Sequence, residues 1–320
     1  MNRQNIALVF VLSFALIFVG PGAKAEQGSK QKAILVTGAS TGIGRNIAER
    51  LASEGYFVYA GARKERDLKE LDAIENMESI RLDVTIQEEI DAAVETITKA
   101  GRGLYGVVNN AGVAVIAPLI EVEEEDLVFQ TDVNVYGPYR ITKAFSPLII
   151  AEEGRITTIG SISGILSGTL AGPYSMSKHA IEAFTDSLAS EMAKFGVEVS
   201  VIEPGNYCSE IGASMLKRME AKGQTAEGSL FEEEQNRMRE RFDNRGPCKE
   251  PDEVADATLH ALFAENPKRR YMVVPNERQA RVTVRKAMQE MIQLNEDQAY
   301  TFNRDALVAM LDEILTETEN

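Results

Sequence analysis

The sequence predicts an α/β protein: a doubly wound parallel sheet of about seven strands in a single domain, followed by a helical C-terminal extension. Three observations carry this expectation. Short apolar runs alternate with stretches of helical spacing, the pattern of strand–helix–strand units whose helices cover both faces of a parallel sheet. The first apolar run passes directly into a glycine-rich turn, "TGASTGIG". The composition, 44% hydrophobic and 26% charged over 320 residues, is that of an ordinary globular chain, and no internal repeat or low-complexity linker divides it.

The elements follow in chain order. Residues 1–25 stand apart: Arg3 gives a positive start, residues 6–19 are almost entirely apolar, and a Pro-Gly break leads to Ala23-Lys24-Ala25. That is the pattern of a secretory signal, and the apolar run is shorter than the roughly 20 residues that cross a bilayer comfortably. The other reading is an uncleaved anchor. Lys24, Lys30 and Lys32 follow the apolar run, and positive charge keeps its flank in the cytoplasm. Residues 26–31 read as a tether.

The body starts at Lys32. "AILVTG" (33–38) is a buried parallel strand, and residues 44–55 form a helix with Ile47 and Leu51 on one face and a glycine stop. Strands are expected at 56–62, 79–84, 106–112, 155–161, 197–205 and 270–275. Helices are expected at 87–100, 127–150, 174–195 and 253–265, the last capped by Asp252 behind Pro251. Residues 32–275 therefore read as one domain and 276–320 as a helical extension. Between the sixth strand and the next helix lies a long charged segment, about 209–249. It carries two apolar stripes, Ile211/Met215/Met219 and Phe231/Met238/Phe242. These suit lid helices over a hydrophobic substrate, with adaptable Met side chains, or helices docked on the body.

With 34 Lys and Arg against 49 Asp and Glu, the formal charge is −15. A surface this acidic excludes a nucleic-acid partner, which would need a basic stripe. Cys208 and Cys248 are no disulfide framework; one bridge between them is open, and two unpaired thiols are the expectation. His179 and His260 are too few to anchor a metal cluster, so no metal site is expected. His179, about 100° round the helix from Lys178, reads as a packing residue.

The glycine turn is the first functional signal. Gly38, Gly42 and Gly44 sit where the first strand becomes the first helix. Bare backbone there lets a pyrophosphate approach the free N–H groups and positive dipole end of that helix. This makes the domain a Rossmann-like dinucleotide-binding fold. Tyr174 and Lys178 are four residues apart and share a helix face. A phenol has a pKa near 10, and a neighbouring ammonium lowers it, so the pair suits acid/base work on an alcohol or carbonyl.

The spacing of the glycines, G-x-x-x-G-x-G, differs from the usual G-x-G-x-x-G. Together with "NNAG" (109–112) and Tyr174-x-x-x-Lys178, over about residues 32–274, it resembles the short-chain dehydrogenase/reductase family, in its shorter oxidoreductase branch. "YSMSKHAIEAFTDSL" is similar to the retinol and hydroxysteroid dehydrogenases of that family. The resemblance implies a catalytic set of Asn134, Ser161, Tyr174 and Lys178. Ser161 bonds the substrate oxygen, with Ser163 the lesser candidate. Asn134 relays through water to Lys178, which also holds the nicotinamide ribose. It implies cofactor contacts at Gly38, Ser40, Thr41, Gly42, Ile43 and Gly44 in the glycine turn. Further contacts fall on Asp83 and Val84 after the third strand, on Asn110, Ala111 and Gly112 after the fourth, and on Pro204, Gly205, Tyr207 and Ser209 after the sixth. Tyr207 and Ser209 stand where the family usually has Val and Thr.

Cofactor choice is read at the end of the second strand. Ala62 occupies the place of the carboxylate that binds the ribose of NAD, and Arg63 follows it. With no carboxylate to repel a 2′-phosphate and a guanidinium to pair with it, NADP(H) is preferred over NAD(H). The expected activity is an NADP(H)-dependent alcohol dehydrogenase or carbonyl reductase on a small, lipophilic substrate of retinoid, steroid or fatty type, in a homo-dimer or tetramer. The alternative is a membrane-tethered nucleotide-binding protein without turnover. Because NADP(H) is kept in the cytoplasm, cofactor choice favours the anchored reading of residues 1–25, with membrane association through the N-terminus and a cytoplasmic domain.

Overall fold

The computed structural model describes residues 31–244 and 246–319. The signal or anchor of residues 1–25 and the tether up to residue 30 lie outside the described residues. Seven strands form one sheet: β1 (Ala33–Val36), β2 (Phe57–Ala62), β3 (Met77–Arg81), β4 (Gly106–Asn109), β5 (Arg155–Ile159), β6 (Glu198–Pro204) and β7 (Arg270–Val273). Every pairing is parallel, in the order β3-β2-β1-β4-β5-β6-β7. The order reverses at β1, which lies between β2 and β4, so a crevice opens there at the carboxyl ends of the strands.

Both faces of the sheet are buried, which is why the strands read as continuous apolar runs rather than as alternation. Ile34, Val36, Val58 and Ala60 point to one face, where they pack with Ile47 and Leu51 of α1 (Gly42–Ser53) and Val254 and Leu262 of α9 (Asp252–Phe263). Ala33, Leu35 and Tyr59 point to the other. They pack there with Ile90 and Ile97 of α3 (Gln87–Ala100), Ile141 and Phe145 of α5 (Gly137–Ala151), and Ala189 of α6 (Gly172–Met192). Each fully buried aliphatic side chain of this kind contributes about 1.5–3 kcal/mol.

The structure departs from the expected elements in four places. Helix α2 (Glu65–Asp72) had no expected range: its sequence, ERDLKELD, offers only Leu68 and Leu71 to the core. The third strand ends at Arg81, because Asp83 turns the chain by accepting from both the N–H and the hydroxyl of Thr85 (3.0 and 2.7 Å). The long helix expected at 127–150 is two helices, α4 (Glu124–Thr131) and α5, joined by a π turn at Asp132–Tyr136. Asp252 makes no capping bond. Pro251 takes the N-cap position, and the Asp252 carboxylate accepts instead from Asn46 of α1 (2.8 Å).

The segment between β6 and α9 folds as α7 (Ile211–Ala221) and α8 (Glu232–Asp243). Their apolar stripes meet: Met215 and Met219 are buried, and a Cβ on Gly212 would sit 2.5 Å from the Phe242 ring. Cys208 and Cys248 are joined by a disulfide with Cα atoms 5.1 Å apart, so the expectation of two unpaired thiols is corrected. The extension is a pair of helices, α10 (Glu277–Asn295) and α11 (Arg304–Glu319). Among the described residues no helix is long and apolar enough to cross a membrane.

Candidate active site

The glycine turn is locked from below by "NNAG". Asn110 donates its side-chain amide to the carbonyls of Thr37 (2.9 Å) and Gly38 (3.1 Å), while the Thr37 hydroxyl accepts from the N–H groups of Asn110 and Ala111 (both 3.0 Å). Gly38 has φ +65°, a conformation that favours glycine. Gly44 is required for space: a Cβ there would lie 2.2 Å from the Asn110 amide and 2.4 Å from the Gly38 carbonyl oxygen. At the start of α1, Thr41 makes no side-chain capping bond and the first turn carries no acid. Its N–H groups are thus free to meet an anion, and the cradle fits a dinucleotide pyrophosphate. Ser40 and Ile43 line the same turn, half-buried, and Thr41 is exposed.

Around this cradle the other cofactor positions are placed as follows. Ala62 is buried and Arg63 exposed, with its guanidinium on the Asp83 carboxylate at 3.2 Å. Burial raises the Asp83 carboxyl, but bonds from Thr85 and Arg63 outweigh it and hold it below the usual carboxylate range. Val84 is buried and meets Gly137, where α5 begins. Gly112 lies against Asn134. After β6, the Gly205 N–H donates to Val273 (2.8 Å) and the Asn206 N–H to the Gln279 side chain of α10 (2.9 Å). Tyr207 is buried and donates its hydroxyl to Glu253, while Ser209 rests against Gly42.

The catalytic candidates converge at the carboxyl end of β5 and the start of α6. Gly172-Pro173 opens α6, the fixed φ of proline suiting a first helical turn. Tyr174, the next residue, sets its hydroxyl beside the Ser161 side chain. Ser163 does not compete for that place; its backbone N–H donates to the Ser161 hydroxyl (3.1 Å) and fixes it. Lys178 lies 5.7 Å from the Tyr174 ring centre and donates to the Ile159 carbonyl at 2.9 Å. Asn134 is buried in the π turn. Its side chain accepts from the Val113 N–H (2.8 Å) and donates to the Val113 carbonyl (2.9 Å) and the Ser177 hydroxyl (3.1 Å). It thereby ties α4 and α5 to the helix that carries Tyr174 and Lys178. His179 is exposed, its ring on the Ser175 carbonyl at 2.8 Å, so it is not a packing residue.

The electrostatics sharpen the roles. Burial pushes the Tyr174 phenol up to about 12, with the Ser161 bond pulling the other way. Burial also brings Lys178 down to about 8, against the pull of Glu182. Desolvation is thus the larger influence on the Tyr174 phenol, with Ser161 the group that lowers it. A phenol that holds its proton this firmly is a donor to an incoming oxygen.

Three groups near the site escape motif reading. Asp126 of α4 is buried and accepts from three lid donors: Arg218, Lys222 (2.8 Å) and Gln224 (2.8 Å). A cavity of about 440 Å³ lies beside it, walled by Val115, Ile116, Pro118, Met215 and Met219 with Arg218 and Glu121. The third group is Glu203, a carboxyl inside the apolar strand "VSVIEP"; a charge in a buried strand is the signal that could have found it.

The description of short chain dehydrogenases matches residues 32–220. The chain is 33% identical to the mitochondrial D-beta-hydroxybutyrate dehydrogenase of Bos taurus over 298 residues, 84% of this chain and 86% of that protein. It is 33% identical to retinol dehydrogenase 5 of Mus musculus over 74% of this chain and 79% of that one. Among solved structures, an actinorhodin polyketide ketoreductase with NADPH superposes with a TM-score of 0.63 at 28% identity, covering 77% of this chain and 95% of the other.

Proposed function

The chain belongs to the short-chain dehydrogenase family, and from that premise we propose that it is an NADP(H)-preferring alcohol dehydrogenase or carbonyl reductase with Tyr174 as its acid and base. The observation that carries the reading is the meeting of Ser161, Tyr174 and Lys178 at the end of β5. The nicotinamide cofactor supplies or accepts the hydride when bound. In reduction the substrate oxygen accepts from Ser161 and Tyr174, and the phenol delivers its proton to that oxygen. Lys178 holds its charge beside the phenolate left behind, stabilising it, and supplies hydrogen-bond donors for the nicotinamide ribose. Asn134 fixes the helix on which both residues stand.

Arg63 supports the preference for NADP(H): it is exposed, adjoins the uncharged Ala62, and can turn from Asp83 to a 2′-phosphate. Met215 and Met219 in the wall of the lid cavity support a substrate with an apolar body. The named relatives, by their names, take hydroxybutyrate and retinol. The Cys208–Cys248 bridge supports the exported reading of residues 1–25, because disulfides persist in oxidising compartments, whereas the NADP(H) preference supports the anchored, cytoplasmic one; cell fractionation followed by a non-reducing gel decides between them.

The test follows NADPH and NADH absorbance against retinal, ketosteroids, fatty aldehydes, small ketones and keto acids. Tyr174→Phe is expected to lower kcat/KM by about 10³-fold with NADPH binding unchanged. Arg63→Ala is expected to weaken NADPH about tenfold and leave NADH unaffected. Unchanged turnover in Tyr174→Phe would remove that residue from the chemistry, and NADPH binding without turnover on any carbonyl would favour a binding protein.

A further inference from the structure

Behind the catalytic face lies a cluster that the proposed reaction does not use. Glu203 is the next-to-last residue of β6, just before Pro204-Gly205, and is 2% exposed. Glu182 stands on α6 one turn beyond Lys178, under the Ser161 turn: a Cβ on Gly160 would lie 3.4 Å from its Oε1, and one on Gly164 2.7 Å. The two carboxyl groups converge on one guanidinium nitrogen: Arg270 Nε lies 3.0 Å from Glu182 Oε2 and 3.8 Å from Glu203 Oε1. Oε1 of each is buried without a hydrogen-bond donor. One cation bonds the cluster directly. Arg270 of β7 bonds Glu182 Oε2 (3.0 Å) and Asp186 Oδ2 (2.7 Å), and comes only to 3.8 Å from Glu203 Oε1.

The charges facing Glu203 are thus Glu182 from α6 and Arg270 from β7; Lys178 faces Glu182, and Asp186 faces Arg270 and Arg269. On the opposite face of β6, Ile202 packs among the apolar residues of α9. Asp186 is half exposed, but Glu182 and Glu203 are 14% and 2% exposed, and two such carboxylates beside one guanidinium are a poor arrangement if both are ionised. Two little-exposed carboxyl groups on one guanidinium nitrogen disfavour each other's charged form, as neighbouring like charges do.

We propose that Glu182 and Glu203 are a proton-sharing carboxyl pair that positions the catalytic face, holding the Ser161 turn, the Lys178 helix and the Pro204-Gly205 loop in one register while the proton is kept. Burial of Glu203, and then the Glu182 charge beside it, push its carboxyl up to about 8. The direction of the consequence follows. A carboxyl raised in the folded chain contributes stability that is complete below the pKa of a free Glu, about 4.3, and is lost as pH rises through about 8. Lys178, lowered to about 8, acts above that window and with the opposite sign.

The inference rests on the oxidoreductase reading only for which residues the pair positions, so its first readouts need no turnover. The protein is compared with Glu203→Gln, whose amide imitates the protonated carboxyl. Between pH 5 and pH 8 the melting temperature of the unsubstituted protein is expected to fall relative to that of Glu203→Gln. Infrared spectra near pH 7 should show a protonated-carboxyl stretch that is lost by pH 9 and absent from Glu203→Gln. In turnover, the alkaline limb of kcat/KM should be steeper in the unsubstituted protein, where the pair and Lys178 both titrate, than in Glu203→Gln, where Lys178 remains. Parallel melting curves for the two proteins across this range would overturn the proposal. Should Glu203→Gln fail to fold, lack of a protonated-carboxyl band in the unsubstituted protein would do the same.

Discussion

Residues 37–44 and residues 209–249 touch where Gly42 meets Ser209, yet they are held in different ways. The glycine turn rises from a strand with no exposed surface and is braced by four hydrogen bonds from the adjacent "NNAG" strand end. Its shape is fixed by continuous packing, and there is no room for another carbon at Gly44. The lid instead fastens to the body at separate points: the disulfide at its base, Asp126 under α7, and Glu121, which accepts from the Ser229 hydroxyl and the Leu230 N–H (2.8 Å). A packed floor can be changed only as a whole. A fastened lid can be loosened one point at a time, which lets cofactor binding and substrate fit vary separately.

Three substitutions test that contrast, taken from the largest expected effect. Gly44→Ala breaks the floor. The clash with Asn110 and Gly38 costs about 2–4 kcal/mol, lowers the melting temperature by several degrees, and weakens NADPH binding at least about tenfold by shifting the first turn of α1. Calorimetry and cofactor titration read both. Cys248→Ser unfastens the base of the lid. A bridge across a 40-residue separation is worth up to about 4 kcal/mol in chain entropy, so the loss of stability should match that of chemical reduction. Cofactor affinity should change less than in Gly44→Ala.

Asp126→Asn is the mildest break. Burial raises the Asp126 carboxyl, but bonds from Lys222 and Gln224 and the charges of Arg218 and Lys222 hold it below its usual range. A depressed carboxyl contributes stability that is present above its unfolded pKa, about 3.9, and is lost as pH falls through the lower folded value. The variant should therefore cost about 1–3 kcal/mol at pH 7, raise substrate KM with kcat little changed, and equal the parent in stability at the acid end. An equal effect on NADPH affinity would show that floor and lid are one unit.

What the sequence disclosed follows the same division. The strands were legible because burial on both faces leaves long apolar words such as "AILV". Helix α2 was not, since two leucines among six charged residues give no period. The π turn at Asp132–Tyr136 was hidden because its residues continue the helical pattern on either side, and only the hydrogen-bond ladder shifts. At the site, the glycine turn and the Tyr174/Lys178 pair are local spacings and can be seen in a window of eight residues. Asp126 with Arg218 and Lys222, Tyr207 with Glu253, and Glu182 with Glu203 are partners that folding brings together from distant segments. No local period announces them, and the pairing of Cys208 with Cys248 likewise had to be seen in three dimensions.

The bridge also changes what the chain is as an object. From Cys208 to Cys248 the backbone and the disulfide form a closed covalent ring containing α7 and α8. A protease that cuts once within that ring opens it but releases nothing. The two pieces stay attached, the lid keeps its moorings at Asp126 and Glu121 as well as the bridge, and the wound shows on a gel only after a reductant is added.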